Sequence, residues 1–230
     1  MKLIRDMSRK FKFSLLENNC TNPYQNFQIE ENILKEPLNS DGILMLWQNT
    51  PCVVIGRFQE EALEINIDYL NGKNIPIIRR LTAGGTVYHD LGNLNVTFCK
   101  RKEDVLFSNY FLDEAKGIIG IVAKILKSFI AQDITVDERN SIYIEGKKIS
   151  GSAATITNEK FFLHFSLLVN SDLEELNRII KWKEEYPKES PNYIKSIRSP
   201  VANLIDFRKD LDMEKVKVLI KSAFKNHNLL

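Results

Sequence analysis

Two short segments of this sequence combine small residues with cations in a way that suits an anion. The first runs Arg79-Arg80-Leu81-Thr82-Ala83-Gly84-Gly85-Thr86-Val87-Tyr88-His89-Asp90-Leu91-Gly92-Asn93. A β-favouring stretch ends in two Arg and opens into a loop of small residues. With few side chains in the way, successive backbone N–H groups can form an anion-binding nest. A guanidinium beside such a loop matches phosphate or carboxylate oxygens with two parallel hydrogen bonds. Neighbouring strand residues point to opposite faces, so only one of Arg79 and Arg80 can line the loop's ligand. The spacing is neither a Walker A loop nor a GxGxxG turn opening a helix. A tight hairpin with a solvated Arg pair fits the same residues.

The second segment is Gly146-Lys147-Lys148-Ile149-Ser150-Gly151-Ser152-Ala153. Strand alternation puts Lys147 with Ile149 on one face and Lys148 with Ser150 on the other. A Lys beside a Ser-Gly-Ser-Ala run can set a point charge where backbone comes close to a ligand. The alternative is a charged hairpin tip. His164 lies within the apolar run Phe161 to Leu168, where a hydrogen-bonded core role competes with a pocket role. His89 and Asp90 follow the Gly loop and are placed to orient a neighbour.

Something must hold these segments together. Asn22 and Pro23 read as N-cap and first residue of a helix running to about Lys35. Gly42 to Trp47 and Val53 to Gly56 read as paired strands. Ile67 to Leu70 suits a short helix, and Lys12 to Leu16, Ile75 to Leu81 and Asn95 to Cys99 suit strands. Phe111, Ala115, Ile118, Ile119, Val122, Ile125, Leu126 and Phe129 recur at the helical period. Ser141 to Ile144 and Lys147 to Ser150 flank a Glu145-Gly146 hairpin turn. Phe161 to Val169 reads as a long buried strand, Leu173 to Trp182 and Glu214 to Lys225 as helices, and Lys183 to Pro191 as a surface loop. Strands and helices interleave with hairpins, which predicts an α/β (α+β) chain with a mixed sheet rather than a doubly wound parallel one.

The chain has 230 residues and net charge +2, with Lys+Arg 32 against Asp+Glu 30. That balance gives no global basic field for nucleic acid. The length suits a single domain, expected over residues 1–230, with a core that needs no metal or disulfide staple. The three Cys are widely spaced and form no CxxC, which reads as reduced cytoplasmic thiols. No apolar run is long enough to span a membrane. Gly is scarce, at 10 residues, so its placement is informative: six fall at Gly56, Gly84, Gly85, Gly92, Gly146 and Gly151.

Taken together, these segments resemble the lipoate–protein ligase A family, part of the biotin/lipoate ligase and octanoyltransferase superfamily. RRLTAGGTVYHDLGNLN resembles its first hallmark, an Arg pair, a Gly-rich loop and a His-Asp-Leu-Gly-Asn run. GKKISGSA resembles its second. Trp47 to Gln59, Arg139-Asn140, His164 and Ser196 to Leu204 agree further, so the likeness covers roughly residues 13–207. The resemblance implies mixed, mostly antiparallel sheets flanked by helices. It implies ATP-dependent activation of lipoate, with Mg²⁺, to lipoyl-AMP, then transfer to a Lys of a lipoyl carrier domain. Such carriers are E2 subunits of 2-oxoacid dehydrogenases and the glycine-cleavage H protein.

The resemblance assigns Lys148 to both lipoate carboxyl and α-phosphate, as the catalytic charge. Arg80 would hold the phosphoryl and acyl region, Gly85, Thr86, Val87 and Tyr88 would lie along the nucleotide, and Gly84 would approach lipoate. His89, Asn93, Asn140, Ser152, Ala153 and His164 would surround the pocket, whose apolar slot is expected near Val53–Ile55 and Phe162–Leu168. No protein metal ligand is assigned. Ala83 stands where the loop usually has its first Gly, and Ser141 where the family usually has Asp. The family's further C-terminal domain is expected to be absent, which opens a role for a separate accessory subunit. The rival reading is a lipoyl or octanoyl transferase that moves a pre-activated acyl group between carriers.

Overall fold

In a computed structural model, residues 11–104, 106, 111–181, 193–227 and 229 are described. The strands are β1 (Phe13–Asn18), β2 (Gly42–Trp47), β3 (Cys52–Ile55), β4 (Ile77–Arg79), β5 (Val87–His89), β6 (Asn93–Arg101), β7 (Ile134–Val136), β8 (Ile142–Ile144), β9 (Lys147–Ser150), β10 (Ser152–Ile156) and β11 (Lys160–Leu168). The helices are α1 (Pro23–Lys35), α2 (Glu61–Glu64), α3 (Ile67–Leu70), α4 (Phe111–Lys127), α5 (Leu173–Ile179), α6 (Leu204–Phe207) and α7 (Met213–Asn226). Helix α1 starts where its cap residues dictate: the Asn22 side chain accepts from Gln25 N at 3.2 Å, and Pro23 occupies the first turn.

The main sheet runs β1-β2-β6-β11-β10, with β1 parallel to β2 and the other pairs antiparallel. Two smaller sheets run β4-β3-β5 and β7-β8-β9. The fold is therefore the mixed, mostly antiparallel architecture that the sequence predicts. One pairing differs. Strands β2 and β3 are not partners: β2 pairs β1 and β6, whereas β3 pairs β4 and β5. Both runs are buried throughout or nearly so, so their apolar character could not say which sheet each belongs to. The short elements β5, β7, β10, α2 and α6 were also not expected. The loop expected over Lys183 to Pro191, and Trp182, lie outside the described residues.

Strand β6 is buried on both faces. Leu94, Val96 and Phe98 point into the main core, where α4 and α7 pack. The rings of Phe98 and Phe224 meet at 5.8 Å, and those of Phe13 and Phe98 stack at 5.0 Å. Residues Asn93, Asn95, Thr97 and Cys99 turn to the opposite face. A separate core of Val53, Ile55, Ile65, Leu70 and Tyr88, closed by α5, supports the β4-β3-β5 sheet. Among the described residues no helix is long and apolar enough to cross a membrane.

Candidate functional site

The two cationic segments meet across a cavity of about 350 Å³. Its floor is the main sheet. Register places Trp47, Asn95 and Ser166 side by side, with Thr97, His164 and Ala153 in the next row. Its rim is the loop after β4, and its far wall is the segment around Ile194 to Ile197.

Arg79 and Arg80 diverge as strand alternation requires. Arg79 turns outward and donates to the carbonyls of Gly56 (3.1 Å) and Gln59 (2.6 Å). Arg80 turns inward and is 7% exposed. Its Nη2 donates to Ala83 O at 3.1 Å and Gly85 O at 2.8 Å, and its Nε donates to Thr82 Oγ1 at 3.1 Å. The guanidinium thus shapes the loop that surrounds it. Burial pulls its pKa down to about 10, with Glu30 acting in the opposite sense. Among the described residues no carboxylate lies within ion-pair reach of it. Gly84 adopts φ +109°, and a Cβ on Gly56 would collide with Gly84 O at 2.0 Å, so both loop turns depend on missing side chains. Ala83 does not take positive φ, and its methyl group is therefore compatible with the loop.

Lys148 reaches the cavity from the other side. Strands β8 and β9 shift register here, with Ile142 opposite Ser150 but Tyr143 opposite Lys148. Beside this bulge Ile149 and Ser150 are buried, while Lys148 lines the cavity. Its backbone is fixed by Lys148 N donating to Pro200 O (2.7 Å) and by Ala202 N donating to Lys148 O (3.1 Å). Desolvation lowers the pKa of the ammonium; Asp137 opposes this and Arg139 adds to it. Arg139 lines the same cavity and was not singled out from sequence as a site residue. The Glu145-Gly146 turn has φ +48° and +75° at its two residues, as a two-residue hairpin needs.

Buried Gln59 joins the rim to the far wall. Its Oε1 accepts from Gly56 N and Thr86 Oγ1, both at 2.9 Å, while its Nε2 donates to Ile194 O (2.9 Å) and Ser196 Oγ (3.1 Å). Ser196 Oγ in turn accepts from Thr86 N at 2.8 Å. The far end is aromatic: Phe27, Trp47 and His89 pack with ring centroids 5.3 to 6.3 Å apart. Burial, with His164 and Arg80 nearby, pushes the His89 pKa down to about 3. The ring is neutral at physiological pH, and Asn49 Nδ2 donates to its Nδ1 at 3.2 Å.

Most residues expected at the site line this cavity: Arg80, Gly84, Gly85, Thr86, Val87, His89, Lys148, Ser152, Ala153 and His164. Three do not. Tyr88 alternates away from Val87 and His89 into the second core. Asn93 is fully buried and donates to Asn95 Oδ1 at 2.9 Å. Asn140 takes a left-handed φ of +59° and offers its carbonyl to Ser152 Oγ at 3.0 Å, a structural turn. Of the expected apolar slot, Val54 and Phe165 line the cavity. Phe27, Trp47 and Gln59 were not assigned roles, because a sequence carries no signal for which distant strand or helix faces a loop. Ser141 lines the cavity and donates its N–H to Asp137 Oδ1 at 2.8 Å. Buried Cys52 and Cys99 have thiol pKa values pushed up to about 12 by desolvation. Among the described residues no group of three His, Cys, Asp or Glu could hold a metal ion.

Comparison with known proteins gives these features a family. The lipoyl protein ligase A/B catalytic domain family matches residues 22–225. Lipoate-protein ligase A of Psychrobacter cryohalolentis is 36% identical over 218 residues, 94% of this chain and 60% of that protein. The chain spans about three fifths of the length of the curated relatives it matches. A structure from an archaeal lipoylation system, described as a bi-partite lipoate protein ligase and its E2 lipoyl domain from Thermoplasma acidophilum, superposes with TM-score 0.75 at 26% identity, over 95% of this chain and 83% of that one. A lipoate-protein ligase A bound with ATP gives TM-score 0.75 at 25% identity, over 95% and 85%.

Proposed function

The chain belongs to the lipoyl protein ligase A/B catalytic domain family, and on that premise we propose that it is a lipoate–protein ligase. In this reading a carboxylate oxygen of lipoate attacks the α-phosphorus of ATP and pyrophosphate leaves, giving lipoyl-AMP. The amine of a Lys on a lipoyl carrier domain then attacks the acyl carbon, and AMP leaves. The carriers are of the E2 and glycine-cleavage H type.

One observation carries the reading. Arg80 and Lys148 face one cavity, neither is ion-paired among the described residues, and the cavity's other end is aromatic. A buried Arg80 and a half-buried Lys148 are costly without an anion, and the apolar end suits an acyl tail. Lys148 bridges the lipoate carboxyl and the α-phosphate, and its charge offsets the one building on carbonyl and phosphoryl oxygens. Arg80 holds the loop through Nε and Nη2 and offers Nη1 to the same oxygens. Gly84 and Gly85 bring backbone close to acyl and nucleotide, Thr86 and Val87 border the nucleotide, and Arg139 serves the outer phosphates. His89 and His164 border the acyl tail.

Mg²⁺ enters as part of the nucleotide substrate. Asp137, the carboxylate whose charge acts on Lys148, is engaged by Arg139 N (3.0 Å), Ser141 N (2.8 Å) and Tyr143 OH (3.2 Å). The donor set therefore fits an ion carried on phosphates better than one caged by protein. The bipartite archaeal relative supports a second form of the same reading, in which a separate accessory subunit assists the activation step.

The deciding assay offers the purified chain three donors for carrier acylation: lipoate with ATP and Mg²⁺, lipoyl-AMP, and an octanoyl carrier, the last giving an octanoylated product. Lipoylation from the first two supports the ligase. Lipoylation from lipoyl-AMP alone assigns activation to a partner. Transfer from the octanoyl carrier alone overturns the ligase reading.

A further inference from the structure

Glu30 lies on α1, outside both motif segments, yet it ends a continuous hydrogen-bond chain from Arg80. Arg80 Nε donates to Thr82 Oγ1 at 3.1 Å, and Thr82 Oγ1 lies 2.8 Å from His164 Nε2. His164 Nδ1 lies 3.0 Å from Glu30 Oε1 and 3.2 Å from Oε2. A second arm reaches the same carboxylate: Trp47 Nε1 donates to Thr97 Oγ1 at 2.9 Å, and Thr97 Oγ1 donates to Glu30 Oε1 at 2.5 Å. Glu30 is 4% exposed and Thr82 is 1% exposed.

The hydrogens can be placed in one consistent order. Glu30 accepts only, so Nδ1 of His164 carries its proton toward the carboxylate. With that tautomer, Nε2 accepts from the Thr82 hydroxyl, whose lone pairs are left for Arg80 Nε–H. A proton on Nε2 as well would set two cations against one hydroxyl oxygen. Every donor in both arms then points toward Glu30, and such chains polarise one another.

We propose that Glu30, His164 and Thr82 are positioning residues for Arg80: the carboxylate balances the buried guanidinium at a distance and fixes its Nε edge. A directly paired carboxylate would occupy the fork of Arg80. Routed through His164 and Thr82, the countercharge leaves Nη2 to the loop carbonyls and Nη1, which otherwise has only a long 3.5 Å contact to Val54 O, to an incoming anion. This inference rests on the ligase reading for the identity of that anion, but not for the chain itself.

The experiment has two readouts on the full chain. Long-range ¹H–¹⁵N NMR of the imidazoles reports the His164 tautomer without any catalysis; the Nδ1–H form is expected in the wild type, and an Nε2–H form overturns the hydrogen order. Kinetics of lipoyl-AMP formation then compare Thr82→Ser with Thr82→Val, the second keeping shape without the hydroxyl. Thr82→Ser is expected to retain wild-type kcat/KM, and Thr82→Val to lose about tenfold, the worth of one hydrogen bond to a charged group. Glu30→Gln, which still accepts from His164, is expected to lose kcat/KM with its melting temperature kept. Equal rates for Thr82→Val and Thr82→Ser in an active enzyme overturn the proposal. A wild-type chain inactive with every donor sinks the ligase reading, while the tautomer still judges the chain of hydrogen bonds.

Discussion

The ammonium of Lys148 lies over the α-carbon of Gly151: a Cβ built there would stand 3.2 Å from Lys148 Cε and 3.3 Å from Nζ. The glycine reserves the space in which the charge sits. Gly151→Ala is expected to push the flexible Lys148 end aside without unfolding the protein. Lipoate-dependent pyrophosphate release should fall at least tenfold while the thermal midpoint stays put. A variant with full pyrophosphate output would show that the ammonium's position is not set by this glycine.

Lys148→Ala should abolish lipoate-dependent pyrophosphate release, because Arg80 is committed to its loop carbonyls and Arg139, which lines the same cavity, is assigned to the outer phosphates rather than the reacting oxygens. Circular dichroism and melting should match the wild type, since the bonds of this residue to Pro200 and Ala202 are made by its backbone and persist in the variant. Normal pyrophosphate output would remove Lys148 from the reaction.

Gln59→Leu removes a buried amide that accepts from Gly56 and Thr86 and donates to Ile194 and Ser196. Several buried groups lose their partner together, at about 1–3 kcal/mol each. Urea denaturation should show a loss of about 3 kcal/mol or more, non-additive with Ser196→Ala because the two share one network. Additive losses would mean that Gln59 and Ser196 act separately.

The His89 side chain ties stability to pH. Its folded pKa is depressed to about 3 from 6.5, so below pH 6.5 the unfolded chain takes up a proton that the folded chain refuses. The unfolded state then binds more protons, and stability falls as pH falls, by up to about 1.4 kcal/mol per unit between pH 6.5 and 3. Above pH 6.5 this contribution is flat. Denaturation series for wild type and His89→Gln should diverge in slope only on the acid side, and parallel slopes across that window would contradict the assignment.

Cys52 and Cys99 carry thiols with pKa values of about 12, so neither supplies a thiolate at neutral pH. Iodoacetamide should label Cys20 in the native protein well before the other two. Cys52→Ala with Cys99→Ala should keep lipoyl transfer from lipoyl-AMP within about twofold, the scatter expected of small core changes. Loss of transfer in that variant with its fold retained would revive a thioester route.

What sequence could show divides along a physical line. Local chemistry was legible: the Asn22-Pro23 helix start, the Glu145-Gly146 turn, and the opposite faces of Arg79 and Arg80. So was the meeting of the two cationic segments, through their likeness to a family. Pairing was not legible, because β2 and β3 are alike in apolar character and only the folded register separates them. Strand alternation separates Lys148 from Ile149 but does not say which of Lys147 and Lys148 faces the site; the fold does, with Lys148 at the cavity and Ile149 in the core. Glu30 and Gln59 act across 134 and 137 residues of chain, on His164 and Ser196, and nothing local marks them. Ala83, which departs from the usual glycine, is explained by its ordinary backbone angle.

The loop from Arg80 to Thr86 is held by the protein's own groups: Arg80 takes its carbonyls and Ser196 takes the Thr86 amide. Its ordering entropy is therefore spent when the chain folds, not when a ligand arrives. Under the ligase proposal, an incoming nucleotide would meet a finished surface, so association should be limited by encounter rather than by loop rearrangement, and differences among acyl substrates should surface in how long each one stays.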